Sequence, residues 1–330
     1  MFEFIPDHIY LFVFGLILLI KGGDWFVDGA SSIAKRFKLP ELLIGATVVS
    51  IGTTLPEVMT SATSAITGHG EIAYGNAIGS IICNTSLIAA LTIAIKPANV
   101  NPKTMIVPTI FFFAASAIYV VAAYALGEFY RWVGIILLLV FVAYMVLTVR
   151  SGFKERDITP EISEDEHGDE EKASPIYMDI LWLVVGAALI AVGADLLVDK
   201  GTLIAQMLGV PETVIALTFV ALGTSLPELI TAITSLIKGH GSLSLGNIIG
   251  ANIFNLVLVS GMSITLAPFD VPVGNTLFGI NSSLVLDIPL MIAVMAFLTI
   301  PTILSKKLSR YQGIALLAVY ASFCVLQFAL

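Results

Sequence analysis

The amino-acid sequence predicts an all-α membrane protein with ten transmembrane helices, built as two inverted five-helix repeats. Three observations lead to that fold class. The 330 residues are 57% hydrophobic and only 12% charged, whereas soluble domains carry about 25% charged residues. A segment of the first half recurs without gaps in the second half. Basic residues fall almost entirely in alternate loops between the apolar stretches.

Composition also limits the partners. The net charge of −8 does not favour nucleic acid as a partner. We expect the lipid bilayer to surround a chain that functions as a monomer. The two cysteines, Cys83 and Cys324, lie in apolar surroundings and form no C-x-x-C pair. They indicate buried hydrophobic side chains without a disulfide or zinc framework, and no cofactor is expected.

Apolar stretches long enough to cross the hydrocarbon core, about 20 residues each, predict the spans. Five lie in the first half, residues 1–150, and five in the second half, residues 176–330. Residues 151–175 form an acidic linker between the halves. The predicted spans are 8–33, 41–66, 72–95, 104–126, 131–150, 178–207, 212–237, 243–266, 279–302 and 310–329.

The distribution of lysine and arginine predicts the orientation, because cytoplasmic loops carry an excess of both. With the N-terminus outside, 13 of the 16 basic residues fall in cytoplasmic segments. We therefore expect a multi-pass protein of the cell membrane, with both termini outside and the acidic linker in the cytoplasm. Since each half has an odd number of spans, the second half enters the membrane from the opposite side. That is the inverted-repeat arrangement.

The repeated segment is GTTLPEVMTSATSAITGHGEIAYGNAIGSIICN, residues 52–84, which returns as GTSLPELITAITSLIKGHGSLSLGNIIGANIFN, residues 223–255. The offset is 171 positions throughout, and 18 of the 33 positions are identical. Each copy places a glutamate, Glu57 or Glu228, within an apolar stretch. A carboxylate at membrane depth is costly and usually functional. Matched sites in two inverted halves predict a binding site near the membrane midplane, where the halves meet.

The residues around each glutamate supply further oxygen atoms. Thr53 and Glu57 are four positions apart and so share one helix face. Pro56 lacks an N–H, so we expect it to kink the helix and free the Gly52 carbonyl. The second copy repeats this arrangement with Gly223, Thr224, Ser225, Pro227 and Glu228.

The third and eighth predicted spans add hydroxyl and amide groups. Ser80 and Asn84 again lie four apart on one face, and their counterparts are Ala251 and Asn255. All these groups are hard oxygen ligands, of which Ca²⁺ binds about six to eight. No thiolate or imidazole is placed to favour zinc or copper. Two other amides, Asn76 and Asn247, are expected mainly to join helices.

Charge sets the ions that such a site can hold. Two glutamates neutralise one Ca²⁺ or two Na⁺. A third Na⁺ would leave one positive charge, so exchange of three Na⁺ for one Ca²⁺ would respond to the membrane voltage.

At these motifs the chain resembles the cation/calcium antiporter superfamily, most closely prokaryotic sodium/calcium exchangers. The two α-repeats of that family are similar to GTTLPE with GNAIGSIICN and to GTSLPE with GNIIGANIFN. The resemblance implies a ten-helix inverted-repeat fold, in which helices 1 and 6 slide against the other helices during alternating access. It implies that Glu57 and Glu228 are the central carboxylate ligands for transported Ca²⁺ and Na⁺. The other implied ligands are hydroxyl or backbone oxygens of Thr53, Thr54, Thr224 and Ser225, backbone carbonyls of Ser50 and Ala221, and the side chains of Ser80, Asn84 and Asn255.

Two positions depart from the superfamily pattern, because some relatives carry an aspartate where Asn255 stands and a serine where Ala251 stands. The stoichiometry and any use of K⁺ or H⁺ therefore stay open. Ca²⁺/H⁺ exchange on the same scaffold is the alternative, since a buried glutamate can exchange protons. An enzyme is not expected. Two carboxylates could serve as acid and base, but such a pair does not need repeated hydroxyls and amides around it.

Overall fold

The computed structural model describes residues 5–158, 175–207, 223–273, 276–277 and 279–329. Helices make up most of these residues. We label them in chain order α1 Ile5–Phe37, α2 Glu41–Ile66, α3 Gly70–Ile95, α4 Pro102–Leu126, α5 Arg131–Ile158, α6 Ile176–Met207, α7 Leu226–Ile237, α8 Gly241–Leu266, α9 Ser283–Ser305 and α10 Arg310–Ala329. Within the described ranges, eight of these helices, all except α7 and α10, are long and apolar enough to cross a membrane.

Short antiparallel strand pairs join the helix ends. In the described ranges they are β1 (Ala98–Asn99) with β6 (Lys307–Leu308), β2 (Glu128–Phe129) with β3 (Phe269–Asp270), and β4 (Thr276–Leu277) with β5 (Ile280–Asn281). The first two pairs each connect the first half of the chain to the second. They lie at opposite ends of α4, because β1 precedes that helix and β2 follows it.

Most helix boundaries agree with the predicted spans to within three residues, and two of the larger differences are informative. Helix α5 continues to Ile158, so the first part of the predicted linker is helical. Helix α9 begins at Ser283, later than predicted, because the β4–β5 hairpin occupies the preceding residues. The rest of the predicted linker and the beginning of the seventh predicted span lie outside the described residues.

Several helices contain a π turn, which is wider than an α turn and is often found at functional sites. Two of these turns begin at matched asparagines, Asn84 in α3 and Asn255 in α8. The π turn of α3 packs against α7, and the π turn of α8 packs against α2. The same local irregularity therefore brings each asparagine to the helix that carries the glutamate of the other half.

Helices α1 and α6 pack against each other through glycines. A Cβ atom on Gly15 would lie 3.0 Å from the Gly193 carbonyl oxygen, and one on Gly22 would lie 2.9 Å from the Gly186 carbonyl oxygen. Small residues allow helix backbones to approach this closely in membranes. Because the earlier glycine of α1 meets the later glycine of α6, the two helices run antiparallel.

The remaining helices pack around a larger apolar core. Its biggest fully buried side chains include the aromatic residues Phe112, Tyr119, Phe129, Tyr144 and Phe254, contributed by α4, β2, α5 and α8. The Tyr144 hydroxyl donates to the Ala46 carbonyl oxygen at 3.2 Å and so connects α5 to α2. This core positions α2, α3 and α8 around the polar residues described next.

Candidate cation site

Two glutamates meet in the interior of the helical bundle. Glu57 on α2 and Glu228 on α7 are both 0% exposed, and their carboxyl groups lie close enough to interact electrostatically. None of their four carboxyl oxygens has a hydrogen-bond partner in the described part of the chain. Burying an unpaired carboxylate costs on the order of several kcal/mol. Buried charges are normally paired or bind a metal, so this pair fits a site for cations.

The two copies of the glutamate motif differ in local structure. Helix α2 continues through Pro56, which has no N–H to donate to the Gly52 carbonyl oxygen. Proline removes only one helical hydrogen bond, and the packing of α2 against α8 keeps the helix continuous. In the second copy the helix begins at the motif itself. Thr224 and Ser225 form a turn before α7, and Pro227 lies in the first helical turn, where its missing N–H has no partner to lose.

Hydroxyl groups from both copies surround the carboxyl groups. Thr53 and Thr54 are buried beside the Glu228 carboxyl group. The Thr54 and Ser225 hydroxyls have no hydrogen-bond partner in the described residues. Ser225 is 1% exposed, so its hydroxyl cannot be satisfied by bulk water. These orphaned oxygen atoms are the kind of group that a bound cation would satisfy.

The side chains of the matched asparagines are also buried without hydrogen-bond partners among the described residues. Asn84 and Asn255 are both 0% exposed, and neither the amide oxygen nor the amide nitrogen of either side chain has a partner in the described residues. Ser80 lies one turn before Asn84 on α3 and is also buried, at 4% exposed. Through the π turns, these groups extend the oxygen-rich region from the glutamates into α3 and α8.

The three remaining predicted ligands are Ser50, Thr224 and Ala221. The Ser50 hydroxyl donates to the Gly45 carbonyl oxygen at 2.8 Å, and the resemblance implies its backbone carbonyl as the ligand. Thr224 is half-buried in the turn before α7. Ala221 lies outside the described residues.

Two asparagines join helices, as expected. The Asn76 amide donates to the Ser61 hydroxyl at 2.8 Å and connects α3 to α2. The Asn247 side-chain oxygen accepts from Ser50 at 3.2 Å and from Thr53 at 3.3 Å, which connects α8 to α2. These bonds hold the helices around the glutamates in position.

Sequence reasoning missed three buried hydroxyls on the helices of the second repeat. Thr231 and Ser235 on α7 and Ser244 on α8 are each 2% exposed or less, and all three lack hydrogen-bond partners in the described residues. Thr231 and Ser235 lie three and seven positions after Glu228, so they follow it along one helix face. The sequence repeat could have pointed to Thr231 and Ser235, because hydroxyl residues, Thr60 and Ser64, stand at the matched positions of the first copy.

The composition of the site favours hard cations. Among the described residues, no three histidine, cysteine, aspartate or glutamate side chains come together, so neutral oxygens must complete any coordination shell. A shell of two carboxylates with hydroxyl, amide and carbonyl oxygens suits Ca²⁺ and also Na⁺.

Comparisons with known proteins point the same way. The family model described as "Sodium/calcium exchanger protein" matches residues 8–150 and 178–329. The chain is 35% identical to an uncharacterised membrane protein of Methanocaldococcus jannaschii, with 94% of each chain covered. It is 30% identical to the sodium/calcium exchanger MaX1 of Methanosarcina acetivorans, covering 98% of this chain and 99% of that one. A structure of the sodium-calcium exchanger NCX_Mj soaked with Na⁺ and Sr²⁺ matches with a TM-score of 0.79 and 31% identity, over 96% of this chain and 97% of that chain.

Proposed function

Because this chain belongs to the sodium/calcium exchanger protein family, we propose that it exchanges Ca²⁺ for Na⁺ across the cell membrane by alternating access. The observation that carries this proposal is the pair of fully buried glutamates, Glu57 and Glu228, without hydrogen-bond partners in the described residues. Ca²⁺ and Na⁺ are the substrates in this proposal, and the ligands are those implied by the resemblance, with Thr231 added on α7. A single chain supplies both glutamates, which favours a functional monomer.

Helices α1–α10 then form ten spans in two inverted halves, joined by the acidic linker. Gly15 and Gly22 correspond to Gly186 and Gly193 at the offset of 171. Gly15 contacts Gly193, and their counterparts Gly186 and Gly22 contact each other in the same way. Such a repeated contact is what a two-fold axis between the halves produces. The antiparallel course of α1 and α6 favours an axis in the membrane plane. The basic residues favour the orientation with both termini outside and the linker in the cytoplasm.

Burial of matched residues supports access from one side at a time. Thr60 is exposed and Ser64 is half-buried, whereas their counterparts Thr231 and Ser235 are fully buried. We infer from this difference that the region after Glu57 is the open one and the region after Glu228 is the closed one. In the proposed orientation the open end faces outside and the closed end faces the cytoplasm.

Ion pairs reinforce the closed end. Lys238, just after α7, lies 2.8 Å from Asp28 and 3.5 Å from Asp24 on α1. His240 lies 2.7 Å from Glu41 at the start of α2. The counterpart of Lys238 in the first copy is Thr67, which cannot form such pairs. We infer that Lys238 helps to hold α1 against the closed end.

Replacing Lys238 with methionine is expected to open the cytoplasmic end more often. Partly exposed ion pairs contribute about 0.2–1 kcal/mol each, so we expect a cysteine placed at Ser235 to react about two- to fivefold faster with a hydrophilic maleimide added from the cytoplasmic side. The background for this assay has Cys83 and Cys324 replaced with alanine. Lys307→Met, in the exposed strand β6, is the control. An unchanged labelling rate would count against the ion-pair inference.

The proposed function is tested by flux with purified protein in liposomes. Uptake of ⁴⁵Ca²⁺ is measured with an outward gradient of Na⁺, H⁺ or K⁺, each applied alone. We expect the Na⁺ gradient to drive at least tenfold more uptake than either of the others. Uptake driven equally well by H⁺ would establish Ca²⁺/H⁺ exchange instead, and uptake in none of the three conditions would contradict Ca²⁺ transport.

Replacing Asn255 with aspartate is expected to change the Na⁺ dependence of exchange more than Ca²⁺ binding. The third carboxylate would let the site neutralise one more Na⁺, so the Na⁺ activation curve should become steeper. The measurement is the initial rate of exchange against Na⁺ concentration, with the Ca²⁺ half-saturation recorded in parallel. Asn99→Asp, in the exposed strand β1, is the control. An unaltered Na⁺ curve would remove position 255 from the Na⁺ sites.

A further inference from the structure

Another acidic side chain lies within the helical bundle, away from the two glutamates. Asp287 ends the π turn Ser283–Asp287 at the start of α9 and is half-buried. An ionisable residue at membrane depth is costly, generally faces the protein interior or a water-filled cavity, and marks an ion or substrate path. Nothing in the exchange mechanism proposed above uses this carboxylate.

Asp287 faces a cavity of about 260 Å³ between α3, α9 and α10. The Gln327 amide of α10 donates to the Asp287 carboxylate at 3.1 Å, and the Ser283 hydroxyl lies near it. The remaining polar lining includes the hydroxyls of Tyr74 and Ser282, and no lysine, arginine or histidine of the described residues lines the cavity. The cavity thus contains one negative charge and several oxygen atoms.

The cavity is separated from the glutamate pair by α3. Its lining includes Tyr74, Ile78 and Ile82, which lie at four-residue intervals on one face of that helix. Ser80 and Asn84, which belong to the glutamate site, are two positions further along and therefore project from the opposite face. The two oxygen-lined regions thus occupy opposite sides of α3.

We propose that the cavity beside Asp287 is a second cation site, which binds one monovalent alkali ion, Na⁺ or K⁺. The carboxylate supplies one negative charge, which a single monovalent ion neutralises. A divalent ion would leave an uncompensated positive charge, because no second acidic side chain of the described residues lines the cavity. Hydroxyl oxygens and water in a cavity of this size would complete the coordination shell. The site is independent of the proposed exchange function.

Equilibrium binding tests this site separately from transport. The probe ions are ²²Na⁺ and, in place of K⁺, ⁸⁶Rb⁺, and the protein is the purified full chain carrying Glu57→Gln and Glu228→Gln. We expect one saturable alkali-ion site per chain, and the preferred isotope identifies the ion. Adding Asp287→Asn should lower the binding at least tenfold, whereas Asp270→Asn, in the exposed strand β3, should leave it unchanged. Asparagine keeps an acceptor for Gln327, so the local hydrogen bond survives the substitution.

The absence of saturable binding in the double variant would overturn the proposal, as would binding that is unaffected by Asp287→Asn. If the double variant does not fold, the chain with both glutamates intact can be used to test the same site. In that background the Asp287→Asn variant must bind one alkali ion fewer per chain than the unmodified protein and must retain Ca²⁺ binding. Equal numbers of bound alkali ions in the two proteins would overturn the proposal. A failure of Na⁺/Ca²⁺ exchange in liposomes would not affect this result, because the assay measures binding alone.

Discussion

Replacing either buried glutamate with glutamine is expected to abolish exchange, with Na⁺-driven ⁴⁵Ca²⁺ uptake falling more than 100-fold in Glu57→Gln and in Glu228→Gln. Each substitution removes one of the two charges that face a divalent ion. At about 4 Å and an effective dielectric constant of about 20, a unit charge and a divalent ion interact by about 8 kcal/mol, twice the value for two unit charges, and this exceeds the roughly 2.7 kcal/mol of a 100-fold effect. Neutral oxygens around the pair cannot replace that charge.

The same variants are expected to remain folded. Glutamine is nearly the same size as glutamate and removes an unpaired buried charge instead of creating one. Thermal unfolding in detergent provides the check, because a ligand that binds only the folded state raises its stability. Ca²⁺ should raise the unfolding temperature of the unmodified chain and leave that of either variant unchanged.

Glu71→Gln is the matched control, since Glu71 is an exposed glutamate in the first turn of α3. It should exchange at the normal rate and keep its stabilisation by Ca²⁺. Exchange that persists in either Glu57→Gln or Glu228→Gln would contradict the role of the paired charges.

Glycine substitutions are expected to have opposite effects in the two copies of the repeat. Gly246→Ala would place a Cβ atom 2.2 Å from the Leu42 carbonyl oxygen, in the contact between α8 and α2. Backbone atoms must move to relieve that clash, so we expect a loss of at least about 1–3 kcal/mol. The matched substitution Gly75→Ala meets no atom within 4 Å, and alanine stabilises a helix by about 0.5–1 kcal/mol relative to glycine.

The measurement is the unfolding temperature and the folded, monodisperse yield of each variant. Gly246→Ala should lower both, whereas Gly75→Ala should leave them unchanged or raise them. A second matched pair tests the same idea, because a Cβ atom on Gly250 would lie 2.6 Å from the Ala46 Cα atom while one on Gly79 meets open space. Equal behaviour of the two copies would contradict the packing of α8 against α2.

Much of the candidate site could be predicted because its residues recur in a sequence that must cross the bilayer. Glu57 and Glu228 are costly at membrane depth, so their duplication in the chain is informative by itself. The ends of the spans were less predictable. A helix can continue past its apolar stretch when it is locally favoured, as α5 does to Ile158, and the apolar pattern does not record that.

Other features of the site depend on neighbours that are distant in the sequence. A buried hydroxyl such as that of Ser244 becomes an orphan only when no helix packed around it offers a partner, which holds for the described residues. Pro56 and Pro227 occupy the same place in the repeat, yet only the second lies at a helix start. The two motifs differ only by Thr54 and Ser225 over these six residues, so we attribute the difference mainly to the surrounding packing.

The sequence by itself determined the class of protein, its pair of repeats and the two acidic positions, because lipid solvation acts on each apolar stretch and each charge separately. Only the tertiary structure decided which glycines lie in contacts between helices and which helices the π turns bring Asn84 and Asn255 against. It also decided that Asp287 borders a cavity. Close packing brings together groups from remote parts of the chain, and two closely similar motifs acquire different surroundings when different helices lie against them.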